Sequence, residues 1–288
     1  MSDYYGFSTK TISSPFLKID ILTTAGPRLV RLTPAGADLN LFAEVPELHW
    51  FSPAGEFYPL GGHRLWAAPE LPEITYLPDG EGVKIEEIPG GLRMSREDHC
   101  GVNYQRVIEL TLDQALPRVI LKHSLKNLAV TPLAPLVVAP WAVTQFRMGG
   151  KVFIPLADSP ADANNLMPNR SLALWPYTKL SDPRLTLTDT AVEIKAKPMP
   201  EALKVGVYSP RGWAAIEFAE GWVLIKHFKV LKPEVHTDFN TNVQCSVRDV
   251  FIELETLGKL SLLQSGEVVT HIEEWEIRQG TLRSLGLV

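Results

Sequence analysis

At 288 residues, with 45% hydrophobic and 21% charged, the chain has the composition of a globular protein with a large core, which excludes a disordered or fibrous polymer. A net charge of -5, with Lys and Arg scattered rather than clustered, leaves no basic footprint for nucleic acid or an anionic membrane surface. A small neutral or weakly anionic ligand fits better, and two cysteines, Cys100 and Cys245, are too few for a disulfide framework.

The N-terminal residues Met1-Ser2-Asp3-Tyr4-Tyr5 lack the basic and apolar regions of a signal peptide, so a cytoplasmic protein is expected. Period-two alternation begins at Ile19 and Ile21 and returns at Ile108, Leu110 and Leu112, where Glu109 and Thr111 fall on the opposite face. Between them, Asp79-Gly80 and Pro89-Gly90-Gly91 read as turns, and Asp98-His99-Cys100 as a strand end near a turn. No second pair at ligand spacing accompanies that triplet, so no metal is expected. The segments 119–125, 214–218, 222–228, 249–256 and 268–277 read as further strands, as do Val192, Ile194 and Ala196. The apolar stretch 128–143 is too short for a membrane helix and is broken by Pro132, Pro135 and Pro140. The 23 prolines leave no long helical stripe. One all-β domain over residues 1–288, a sandwich or barrel, is the expected architecture.

The irregular segment 155–182 is long for a plain connection and carries Asn165, Asn169, Arg170, Trp175 and Tyr177, types that suit sugar hydroxyls and sugar faces. An ordered loop packing its aromatics on the sandwich accounts for the same residues. Neither a Gly-x-Ser-x-Gly elbow nor a phosphate-binding loop nor a dinucleotide fingerprint occurs. Gly61-Gly62-His63-Arg64-Leu65-Trp66 brings an imidazole, a guanidinium and an indole together after two glycines. Arg64 could donate to vicinal hydroxyls and Trp66 offer a flat apolar face, or the stretch is a turn with a surface arginine. In 251–257, alternation sends Phe251, Glu253 and Glu255 to one face. If that face lines a cleft, repulsion and desolvation raise at least one carboxyl toward the range of a general base; if it faces water, both are solvated glutamates.

These residues resemble the galactose mutarotase-like (aldose 1-epimerase-like) proteins. Leu254-Glu255-Thr256, then Gln264-Ser265-Gly266-Glu267, then His271-Ile272-Glu273-Glu274-Trp275 is similar to that family's C-terminal pattern, and His63-Arg64-Leu65 to its Asn-Arg-Ile. The resemblance implies a large twisted antiparallel β-sandwich with a concave carbohydrate site and no cofactor. It makes Glu255 the catalytic base and Arg64 the sugar-binding arginine. Trp66, Trp141, Asn169, Arg170, Trp175 and Glu253 complete the expected binding set. The family's Thr-Pro followed by a strand carrying the general-acid histidine is similar to Thr131-Pro132, yet an ungapped count puts Val138 at the acid position, ahead of Pro140 and Trp141. The acid must then come from His63, His99, His227 or His236, with His63 and His227 the expected candidates; alternation with Val223 and Ile225 predicts an inner strand position for His227. The segment around Met167-Pro168-Asn169-Arg170 and Leu174-Trp175-Pro176-Tyr177 resembles an uncharacterised branch of the superfamily. Three functions stay open: a cofactor-independent mutarotase or epimerase, a carbohydrate-binding protein that has lost the acid, and, ranked last, a lyase or hydrolase on the same sandwich.

Overall fold

The computed structural model describes residues 3–100, 102–130, 135–160, 162–231 and 234–288, with the side chain of Cys100 left out; Thr131-Pro132 therefore lies outside the described residues. Among these residues the strands form a twelve-stranded sheet, a ten-stranded sheet and a two-stranded hairpin, Trp50–Ser52 with Gly55–Phe57, and every strand pairing is antiparallel. Helix is confined to two four-residue turns, Pro72–Thr75 and Thr237–Asn240. The architecture is thus the large antiparallel β-sandwich, with its main apolar core between the two sheets. No described helix is long and apolar enough to cross a membrane.

Alternation explains the two layers. In the Arg118–Asn127 strand, Val119, Leu121, His123 and Leu125 are buried while Ile120 and Lys122 are not. Its neighbour Val268–Gln279 places Val269, Glu273, Trp275 and Ile277 inside. The first sheet differs, because its central strands are covered on both faces and so do not reveal their inner side by hydropathy.

Leu60–Ala68 shows the consequence. The sequence pattern allows a turn at Gly61-Gly62, but the structure puts both glycines inside a strand buried at all nine positions. It pairs with Arg28–Pro34 on one side and Leu136–Phe146 on the other. A Cβ on Gly61 would lie 2.0 Å from the Ala43 carbonyl oxygen, and one on Gly62 1.9 Å from that of Leu29, so the glycines admit neighbouring backbone. They do not expose a loop.

The register of five adjacent strands builds the outer face of this sheet in transverse rows. Val143 lies opposite both Arg64 and Glu255, and Glu255 lies opposite Gln244. One row over, Gln145 lies opposite Gly62 and Glu253, Glu253 opposite Ser246, and Ser246 opposite Lys204. In the next, Trp141 lies opposite Trp66 and Leu257. Residues two apart along a strand share a face, so the polar groups of all three rows emerge on one side.

Candidate functional site

That side holds a cavity of about 400 Å³, lined by Trp50, Trp66, Trp141, Tyr76, Tyr177 and Phe251 among apolar groups, and by Glu70, Gln145, Lys204, Arg248 and Glu253 among polar ones. Flat rings with a few convergent polar groups match the apolar faces and hydroxyl rim of a sugar. Trp66 and Trp141 stand edge-on, their centroids 5.3 Å apart, and Trp50 and Tyr76 pack beside them.

Glu255 lies one layer beneath this lining, fully buried. Its Oε2 accepts from the Trp141 indole N–H at 2.7 Å and from the Lys204 ammonium at 3.2 Å, whereas its Oε1 is buried without a hydrogen-bond partner among the described residues. Burial raises the carboxyl to about 7; Lys204 opposes that shift and the nearby Glu253 adds to it. Burial alone would lower the Lys204 ammonium, but Glu255, Glu70 and Glu253 hold it above the ordinary lysine range. Lys204 also sits 4.6 Å from the Trp141 ring centroid and 4.7 Å from that of Trp175.

Arg64 is fully buried and reaches the cavity only through an intermediary. Its Nη2 donates to Gln145 Oε1, and the Gln145 amide donates to Glu253 Oε1 at 2.9 Å, so Gln145 links the guanidinium to the cavity carboxylate. Arg64 Nε and Nη1 have no hydrogen-bond partner among the described residues, and burial, followed by repulsion from Arg28, pulls its pKa down to about 9. Its guanidinium lies 4.8 Å from the Trp66 ring.

The structure therefore brings together Glu253, Glu255, Trp66 and Trp141, with Trp175 above Lys204 and Arg64 below Gln145. It separates the others. His63 points to the opposite, inter-sheet face, because strand alternation sends it away from Arg64; its Nδ1 is 2.7 Å from Thr144 Oγ1 and its Nε2 2.7 Å from His123 Nε2. His227 shares its face with Val223 and Ile225 as alternation requires, but that face is the outer one, covered by Leu282 of the C-terminal segment; the His227 ring is 43% exposed and 3.8 Å from Glu276. Asn169 and Arg170 line a different cavity. Val138, at the counted acid position, is buried in the inter-sheet core, and among the described residues no histidine lines the cleft. Lys204 and Gln145 escaped notice in the sequence. Lys204 alternates with Leu203 and Val205, a pattern that an ordinary half-solvated strand also shows.

Behind the floor, the inter-sheet core holds a polar network whose hydrogens can be assigned. Lys226, fully buried, donates to Thr144 Oγ1 at 2.7 Å, to the Leu254 carbonyl at 3.0 Å and to Glu273 Oε1 at 3.0 Å. Thr144 then donates to His63 Nδ1, His63 Nε2–H to His123 Nε2, and His123 Nδ1–H to the His271 carbonyl at 3.3 Å. His63, His123 and Glu273 stand at metal-ligand spacing. The Lys226 ammonium already occupies the cationic position against Glu273, so the donor set is satisfied without a metal.

Burial holds His63 well below its ordinary pKa, His123 at about 4 and His271 at about 3. In the unfolded chain each takes a proton near pH 6.5. The unfolded state thus binds more protons between these values, and the stabilisation present above pH 6.5 is lost as pH falls through about 4. Glu255, raised to about 7, has the opposite sign, but it is one group against three. Thermal melting followed from pH 7 to pH 4 should show a steep fall in Tm; a flat profile would mean that the histidines are not dry.

No protein-family model matches the sequence, and no curated protein matches it significantly. Solved structures do match. A protein of Escherichia coli K12, provisionally named an aldose 1-epimerase, superposes with a TM-score of 0.59 at 14% identity over 95% of this chain and 100% of its own. A galactose mutarotase related enzyme of Lactobacillus acidophilus gives 0.54 at 11% identity over 95% and 98%. A TPR-domain containing protein of Parabacteroides distasonis gives 0.63 at 10% identity, over 94% of this chain and 47% of its own. The chain has the galactose mutarotase-like fold, in a sequence-divergent form. The fold recurs in a protein named for another domain, so the chemistry has to be argued from the site.

Proposed function

We propose that the cleft binds a carbohydrate and that the chain acts on it as a cofactor-independent aldose mutarotase or epimerase, with Glu255 as base. The observation that supports this most is a carboxyl raised to about 7, with an Oε1 that has no hydrogen-bond partner among the described residues, in the layer beneath Trp141 of an aromatic cavity. A sugar stacked on Trp66 and Trp141 presents its hydroxyls to Glu253 and Gln145. The anomeric hydroxyl gives its proton to Glu255, the C1–O5 bond breaks, and the ring oxygen takes a proton from solvent. Rotation about C1–C2 and reclosure give the other anomer; on reclosure O5 returns that proton to solvent and Glu255 reprotonates the new anomeric oxygen. In this reading Lys204, the cation beside the carboxylate, donates a hydrogen bond to the ring oxygen as it gathers negative charge.

The test is the pH dependence of anomer exchange. A base with a pKa of about 7 is active only as carboxylate, so the catalysed rate should rise as pH increases through 7 and level off above it. Exchange no faster than in buffer at every pH would refute the enzyme reading. The second reading, a carbohydrate-binding protein without catalysis, is favoured by one observation: among the described residues the cleft has no histidine to serve as acid. It predicts sugar binding with no exchange at any pH.

A further inference from the structure

The 155–182 segment serves two cavities. Tyr177 reaches the cleft, whereas residues 157–160 and 168–171 line a second cavity of about 590 Å³ that has no lining residue in common with the first. Its remaining wall comes from Tyr208, Pro210, Arg211 and Asn240.

The hydrogen bonds at this wall leave donors in excess. Arg170 spends Nε and Nη2 on the Ala157 carbonyl, at 3.3 and 3.1 Å, which locks the guanidinium plane and leaves Nη1 without a bond among the described residues. Arg211 meets Asp158 at a loose 3.6 Å, and that carboxylate is itself 63% exposed. Asn240 uses its Oδ1 to accept from the His236 backbone N–H at 2.9 Å, so its amide donors have no described partner. Asn169 spends its amide on the Ser159 carbonyl at 2.5 Å. Two guanidinium groups, one of them fixed, with a free amide and the Tyr208 phenol, are donors suited to an oxyanion.

The backbone of the same wall is strained. Asp238, Phe239 and Asn240 have φ of 51°, 60° and 66°, three consecutive side-chain-bearing residues in the left-handed region. The turn is held from the other side, where Asp238 Oδ2 accepts from Gln244 Nε2 at 2.7 Å and Gln244 lies opposite Glu255. Strain of this kind persists where surrounding contacts enforce it, and it clusters at ligand sites. Here it sets Asn240 into the cavity wall.

We propose that this cavity is a second binding site, separate from the cleft, for a phosphate or carboxylate group carried on a small polyhydroxylated molecule. The two guanidinium groups take the anion, and the amide, phenol and serine hydroxyls take the body. The site does not depend on what the cleft does.

Titration calorimetry of the full chain with glucose 6-phosphate, glucuronate, inorganic phosphate and glucose tests it, alongside Arg170→Ala, Arg211→Ser and the cleft variant Trp66→Ala. Loss of a charge-assisted contact should weaken the two sugar anions by about tenfold or more in each arginine variant. The binding component that the arginine variants remove should persist in Trp66→Ala. Inorganic phosphate should compete with them, and more weakly than the sugar anions if the body contributes. Arg211 is at the surface, so Arg211→Ser keeps the test valid if Arg170→Ala does not fold. The proposal is overturned if no anion binds at millimolar concentration, if both arginine variants bind as wild type, or if Trp66→Ala abolishes anion binding and so places the anion in the cleft. Phosphate binding without sugar-anion binding overturns the assignment of the body.

Discussion

Lys226→Met is expected to destabilise the protein by about 3–5 kcal/mol, the cost typical of breaking a buried ion pair from one side. Methionine keeps most of the volume, so the loss is not a cavity effect. It leaves the fully buried Glu273 without its cation, and it removes the lysine's hydrogen bonds to the Leu254 carbonyl and the Thr144 hydroxyl. Some compensation remains, since Glu273 still accepts from Thr256 and from the Trp275 indole at 2.9 Å. Lys226→Met/Glu273→Gln should regain a large part of the loss, because the uncompensated charge is gone. Urea unfolding of the three proteins measures this. A loss under about 1 kcal/mol for Lys226→Met would match a solvent-screened pair and contradict a dry network.

Glu255→Gln should reduce catalysed anomer exchange by roughly 10²- to 10⁴-fold while leaving sugar affinity nearly unchanged. Gln is isosteric, and its carbonyl can still accept from Trp141, so the floor keeps its shape. It cannot take a proton at neutral pH. The variant also strips the nearest counter-charge from Lys204, but Glu70, 4.0 Å from the ammonium, remains. The pH dependence near 7 should vanish together with the rate. Should exchange survive at full rate, Glu253, which lines the cavity on the same face, becomes the base.

Much of the fold could be read from the sequence because strand periodicity is local. Val192, Ile194 and Ala196 needed no knowledge of their partners, and Glu253 and Glu255 share a face whatever the sheet around them. Which face turns to a cleft depends on pairing across the chain. The Leu60–Ala68 strand is buried on both sides, so nothing local distinguishes His63, which faces the core, from Arg64, which faces the cleft. The same ambiguity misassigned His227: Val223 and Ile225 are apolar because Leu282 covers the outer face, and the inward residue of that pair is Lys226. A lysine inside a sandwich is rare unless a partner such as Glu273 is supplied from another strand. Lys204 and Gln145 belong to the same class. Their roles arise from contacts 51 and 108 residues away in sequence, with Glu255 and Glu253. Of the residues that the 155–182 segment offered for sugar, Tyr177 lines the cleft and Trp175 packs on Lys204, whereas Asn169 and Arg170 line the other cavity.

Saturation-transfer NMR of free aldoses with wild-type and Glu255→Gln protein decides whether the cleft holds a sugar and whether Glu255 is the base that acts on it. Ligand contact and exchange between α and β anomer signals are read in one spectrum. Saturation transfer is expected from both proteins to at least one aldose, with anomer exchange above the buffer rate for wild type alone. Exchange of equal rate in both proteins, or no saturation transfer to any sugar, would contradict it.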